Sequence, residues 1–163
     1  HIISEVLNGP HDRAKVDADV AEMRTLIEQE KPSKGIWDFK LMPGGLIDLE
    51  FIAQAAAMSG RAGGIVSTRT EEILQNVAMD GLTSEDREIL SHAHRLFSSL
   101  TQILRLCLED EAREESVSAA LMEILFRSAE LPDGNTLKAH IANTGQQVRD
   151  IFDRLFRKPR RKA

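Results

Sequence analysis

The residues whose types and spacing could do chemistry are concentrated at positions 37–54, which read Trp-Asp-Phe-Lys-Leu-Met-Pro-Gly-Gly-Leu-Ile-Asp-Leu-Glu-Phe-Ile-Ala-Gln. A Pro-Gly-Gly turn ahead of a helix can leave backbone N–H groups unpaired at the helix start, and those donors together with the helix dipole attract an anion. Lys40 could add a mobile point charge, while Gly44 and Gly45 would let a nucleotide phosphate, or an acidic side chain of a neighbouring domain, approach the backbone. The same residues equally describe a turn that merely needs positive φ before a helix, which is the commoner use of such residues. The spacing leaves both readings open.

Asp48 and Glu50 are the second candidate, because paired carboxylates can bind magnesium or carry out acid-base work. Two positions apart on a helix they diverge by about 200° and cannot share an ion, whereas on a strand they would share a face. The alanine-rich run that follows favours a helix beginning near Gly45. Asp48 is therefore expected in the first helical turn, stabilised by the dipole, with Glu50 above Gln54 and no metal held between the two acids. A structural or interdomain role is expected for both.

Other constellations are weaker. His92 and His94 lie two apart on a helical stretch and diverge, which argues against a shared metal. His11-Asp12 is the kind of pair that HD phosphohydrolases use, but its matching sites are not evident. Cys107, the single cysteine, sits in an apolar run and is expected to be a small buried hydrophobe. There is no P-loop, no Gly-x-Ser-x-Gly and no cysteine-histidine metal spacing.

The elements that must position these residues are helical. Apolar residues recur at spacings of three and four, divided by Pro and Gly. Val16, Val20, Met23 and Ile27 mark a helix over 12–30 that stops before Pro32. Residues 37–41 are short and extended in this reading. A second helix runs from Gly45 to about 59, and a third covers 70–79. A fourth, capped by Thr83 and Ser84, carries Ile89, Ala93, Leu96, Leu100, Ile103 and Cys107. A fifth is marked by Val117, Leu121, Ile124, Ser128 and Leu131, ending at Pro132-Asp133-Gly134. The last carries Leu137, Ile141, Thr144, Val148, Ile151 and Leu155. With few alternating β-branched segments, the fold class is an all-α bundle of about five to six helices.

Composition bounds the rest. The 163 residues, 42% apolar and 29% charged, suit one helical domain with a real core. No stretch has the apolar length of a membrane span, and a lone cysteine forms no intrachain disulfide, so a cytoplasmic protein is expected. A net charge of -5 gives no reason to expect nucleic acid as a partner. Acids gather at 109–111 and 114–115, and 158–163 is expected to be a flexible basic tail. The start at His1, without methionine, reads as a cut in a longer chain.

The stretch from Asp38 to Gln54 resembles the signature of the bifunctional glutamine synthetase adenylyltransferases, also called adenylyl-removing enzymes. Asp38, Lys40, Gly44, Gly45, Asp48, Glu50, Phe51 and Gln54 carry that resemblance. Asp19 to Arg24, Leu131-Pro132 and the closing Val148 to Phe156 are similar to family sequences more loosely. The resemblance implies a helical domain that follows a nucleotidyltransferase domain. Asp48 and the terminal position point to the C-terminal, adenylylating half. The parent would transfer AMP from ATP to a tyrosine of glutamine synthetase with Mg2+, and would have glutamine synthetase, PII signal protein and its own upstream nucleotidyltransferase domain as partners. The metal-binding acids of the family lie upstream, so no catalytic residue is carried onto this chain and no cofactor is expected in it. The alternatives are a free-standing helical interaction module and a related uridylyltransferase, whose HD pattern is missing here.

Overall fold

The computed structural model describes residues 12–64, 69–108 and 116–157. Among them are six helices and no strand: α1 (Arg13–Glu30), α2 (Leu46–Met58), α3 (Thr70–Asn76), α4 (Ser84–Cys107), α5 (Ala119–Ser128) and α6 (Gly134–Phe156). The all-α bundle expected from the periodicity is what forms. None of these helices is long and apolar enough to cross a membrane. His11, the acidic runs at 109–111 and 114–115, and the tail at 158–163 lie outside the described residues.

Local chemistry sets the helix starts. The Asp12 carboxylate accepts from the N–H of Ala14 at 3.0 Å, and Asp133 accepts from Thr136 at 2.7 Å. Thr83 and Asp86 form a reciprocal capping box at the start of α4. Ser118 caps α5 by accepting from Leu121. Each supplies an acceptor for a first-turn donor that has no partner inside its own helix.

Helix α2 is central and contacts α1, α3, α4 and α6. Its small side chains make this possible: Leu49, Ile52, Ala53, Ala55 and Ala56 are all buried, so α2 is apolar around most of its circumference. The long helices α4 and α6 pack in opposite directions. Arg154, near the end of α6, reaches the Gly81 carbonyl and Asp86 at the start of α4, while His92 further along α4 meets His140 nearer the start of α6. Leu137, Ile141, Thr144, Val148, Ile151 and Leu155 are buried along α6 as the spacing requires.

The remaining seams need correction. On α4 the buried line is Leu90, Ala93, Phe97, Leu100 and Leu104, with Ile89, Leu96 and Ile103 only partly covered beside it. Cys107 is exposed, because it ends the helix one turn beyond Leu104, the last buried residue of that line. Ile124 is 51% exposed and Leu125 takes its place against the core. On α1, Met23 is 50% exposed and the buried position is Arg24. Helix α3 stops at Asn76; Val77 and Met79 are buried from the connection that follows.

Residues 37–41 form turns rather than an extended segment. The Asp38 carboxylate accepts from the N–H groups of Lys34 at 3.1 Å and Leu41 at 3.2 Å, and Met42 N–H donates to the Asp38 carbonyl at 3.0 Å. Tight coiling lets Trp37, Phe39 and Met42 all point into the core. Phe39 stacks on Phe97 of α4 with ring centroids 5.6 Å apart, and Trp37 meets Phe39 edge-on at 6.1 Å.

Gly44 shows how closely this turn is seated. Its φ is +78°, and a Cβ there would lie 1.8 Å from the Gly145 carbonyl oxygen of α6. Backbone packs on backbone at that point. Gly44→Ala is expected to lower unfolding free energy by about 3 kcal/mol or more, combining left-handed strain with overpacking. Gly60→Ala, with φ +69° but open space around it, should cost only about 1–2 kcal/mol. Urea denaturation of both variants checks the difference; equal losses would show that the contact with α6 contributes nothing.

Candidate functional site

The turn at 38–45 and the first turn of α2 meet α1 and α6 around one carboxylate. Asp48, the third residue of α2, is fully buried. Its Oδ1 accepts from Arg24 Nε of α1 at 2.6 Å, and its Oδ2 accepts from the Gly44 N–H at 2.6 Å and from Arg149 Nη1 of α6 at 3.0 Å. Arg24, also fully buried, turns Nη2 onto the carbonyls of Leu41 at 3.0 Å and Met42 at 3.3 Å, which closes the turn from the other side. Its Nη1 has no hydrogen-bond partner among the described residues.

A half-buried layer surrounds this pair. Arg149 Nη2 donates to Glu28 of α1 at 2.5 Å, and Arg157 reaches the same carboxylate at 3.5 Å. Asp153 lies 3.4 Å from Arg149 Nε and 3.7 Å from Arg157. Three cations thus face three anions, so charge is balanced within the cluster. Burial pushes the Glu28 carboxyl up, but Arg149, Arg157 and Arg24 together outweigh it and hold the group below its ordinary value. Burial likewise opposes the Arg149 charge, and Asp48 and Glu28 overcome that penalty and raise its pKa.

The residues singled out by sequence divide into two sets. Gly44, Gly45 and Asp48 are brought together in this interior, Asp38 is half-buried and holds the turn that precedes it, and Phe51 is partly buried on α2. Lys40, Glu50 and Gln54 are exposed. Asp48 and Glu50 diverge as the helical placement requires.

The N–H groups of the turn have acceptors within the chain. Gly44 donates to Asp48, Gly45 to the Met42 carbonyl at 2.9 Å, Leu46 to Phe39 at 2.7 Å and Ile47 to Lys40 at 3.1 Å. Gly45 is close to the Phe39 carbonyl, where a Cβ would come within 2.3 Å. Among the described residues no group of three His, Cys, Asp or Glu side chains could hold a metal ion.

Arg24, Glu28 and Arg149 carry as much of this geometry as the motif does, and the motif does not contain them. Arg24 occupied a position four residues after Val20 on the apolar stripe of α1, and a charge on an apolar stripe is the signal that marks it. Arg149 followed the buried Val148 with no such mark.

A carboxyl held below its ordinary value favours the folded state above its unfolded pKa, and that contribution is lost as pH falls through the folded value. The wild-type chain should therefore lose stability as pH drops below about 4.5, the ordinary value for Glu28. Glu28→Gln should flatten this dependence in part, since Asp86 and Asp133 are lowered as well. Thermal unfolding across pH 3–7 checks it; parallel curves for the two proteins would remove Glu28 from the explanation.

Comparison with known proteins matches this sequence to a family. The family model described as GlnD PII-uridylyltransferase matches residues 16–156. The bifunctional glutamine synthetase adenylyltransferase/adenylyl-removing enzyme of Mesorhizobium japonicum is 44% identical over 156 residues, which is 95% of this chain and 16% of that protein. Proteins of the same name from Rhizobium meliloti and Brucella suis biovar 1 are 40% and 41% identical, over 93% and 94% of this chain and 16% of their own length. The chain therefore spans about one sixth of the curated relatives it matches. No solved structure matches it. The matched region takes in α2 to α6 and α1 from residue 16 onward, so the chain belongs to the GlnD PII-uridylyltransferase family, and its similarity there is to one segment of the bifunctional glutamine synthetase adenylyltransferases/adenylyl-removing enzymes.

Proposed function

We propose that the chain is the helical domain behind the nucleotidyltransferase domain in the adenylylating half of a glutamine synthetase adenylyltransferase. The whole protein would transfer AMP from ATP to a tyrosine of glutamine synthetase in the cytoplasm, with Mg2+ neutralising charge on the phosphates. The observation that carries this reading is the agreement of relatives 38–44% identical across nearly the whole chain, every one named for that activity. In this reading the chain supplies no catalytic residue. It supports the catalytic domain, and glutamine synthetase and PII signal protein are the outside partners.

The split within the motif supports a place for the domain junction. Gly44, Gly45 and Asp48 are used up in building the interior and Asp38 in holding the turn, whereas Lys40, Glu50 and Gln54 stand at the surface of the same short segment. Glu50 and Gln54 are four residues apart and share a face of α2. Since the turn's own carbonyls and Asp48 take its N–H groups, an interdomain contact through Lys40 has more support than a phosphate cradle built from Gly44 and Gly45. Docking of this kind needs a rigid platform, which the ion pairs beneath provide.

In the full-length parent, Lys40→Ala should lower the rate of AMP transfer by at least about fivefold, equivalent to ~1 kcal/mol of docking energy. The melting temperature of this chain should not change, because Lys40 is exposed. Adenylylation assays and thermal melts of the two proteins check both halves; unchanged transfer kinetics would remove Lys40 from the junction.

A further inference from the structure

The two histidines paired by sequence, His92 and His94, do diverge on α4, but His92 finds another histidine across the bundle. Its Nε2 lies 3.1 Å from Nε2 of His140 on α6, with ring centroids 5.3 Å apart and planes inclined at 67°. The contact is open to solvent. It plays no part in the ion-pair interior around Asp48 or in the proposed junction.

Two imidazole nitrogens at this separation have a specific chemical meaning. Zinc binds histidine nitrogen at about 2.0–2.1 Å, so two such ligands on one ion lie about 2.9 Å apart at a right angle and about 3.3 Å apart at the tetrahedral angle. The observed 3.1 Å falls between these values. We propose that His92 and His140 form a two-imidazole site for a divalent transition metal of the zinc, nickel or copper type, bridging α4 and α6.

The chemistry balances without outside reactants. In the metal-free pair one Nε2 carries the hydrogen that bonds to the other. On binding, that ring moves its proton to Nδ1, both Nε2 lone pairs face the ion, and no net proton is released when both rings are neutral. Hard cations such as Mg2+ are not expected here, since they prefer oxygen ligands. No third His, Cys, Asp or Glu completes the site among the described residues, so water fills the remaining positions. The nearby Arg95 guanidinium opposes a cation, and its pairing with Glu71 at 3.7 Å offsets part of that charge.

The test uses Zn2+ at neutral pH with this chain. Isothermal titration should show one ion bound per chain through the pair, and saturating Zn2+ should raise the melting temperature by clamping α4 to α6. His92→Gln and His140→Gln should each weaken that binding at least about tenfold and abolish the thermal shift. His94→Gln and His11→Gln should leave both readouts as in the wild type. Circular dichroism establishes that each variant is folded, and the exposure of the pair makes loss of the fold unexpected. Binding that survives either pair substitution, is lost in the His94 or His11 variants, or is absent up to millimolar Zn2+ would overturn the proposal.

Discussion

One buried carboxylate sets the arrangement of everything around it. Asp48 is withdrawn from water, and an ionised carboxylate in that position carries a desolvation cost of several kcal/mol unless its oxygens are matched by donors of good geometry. Here they are matched by Arg24, Arg149 and the Gly44 N–H, contributed by α1, α6 and the turn before α2. Satisfying this charge therefore fixes the positions of the consecutive helices α1 and α2 relative to α6, which is far from both in sequence. It also explains why Gly44 must adopt positive φ and rest against Gly145: the turn has to come close enough to α6 for its N–H and the Arg149 guanidinium to share one oxygen.

Apolar burial and this polar centre divide the labour. The Leu, Phe, Ile and Ala side chains of α2, α4 and α6 supply a driving force that is strong but indifferent to register, since neighbouring apolar residues can exchange places along a seam. A buried charge tolerates no such exchange. A shift of α1 by one residue would replace Arg24 with Met23 or Thr25 and leave Asp48 without its strongest partner. The interior ion pair is best understood as the device that selects one packing of the bundle.

The helices were legible in the sequence wherever a three-four spacing was unambiguous, and α6 follows its expected seam residue for residue. The misreadings share one cause. On α4 two adjacent apolar lines run side by side, Ile89-Leu96-Ile103 and Leu90-Phe97-Leu104, and only contacts with α2, α3, α5 and α6 decide which is innermost. On α1 the apolar periodicity placed Met23 inward because it gave no weight to a charged residue with a buried partner. The turn at 37–41 was read as extended because its coiling is held by the Asp38 side chain, an interaction that spacing alone does not reveal. The separation of Asp48 from Glu50 was legible because it follows from helix geometry alone. The pairing of His92 with His140 was not, since it depends on how α4 and α6 are set against each other.

The segment at 38–54 divides between interior and surface. Its interior residues build a rigid corner where α1, α2 and α6 meet, and its surface residues are carried on that corner without being needed to form it. A double-mutant cycle on Arg24→Met and Asp48→Asn, measured by urea denaturation, tests this most directly. If Asp48 depends on Arg24 as the geometry indicates, the two changes should be coupled by about 2 kcal/mol or more. Additive losses, within about 0.5 kcal/mol, would contradict the claim that this pair organises the bundle.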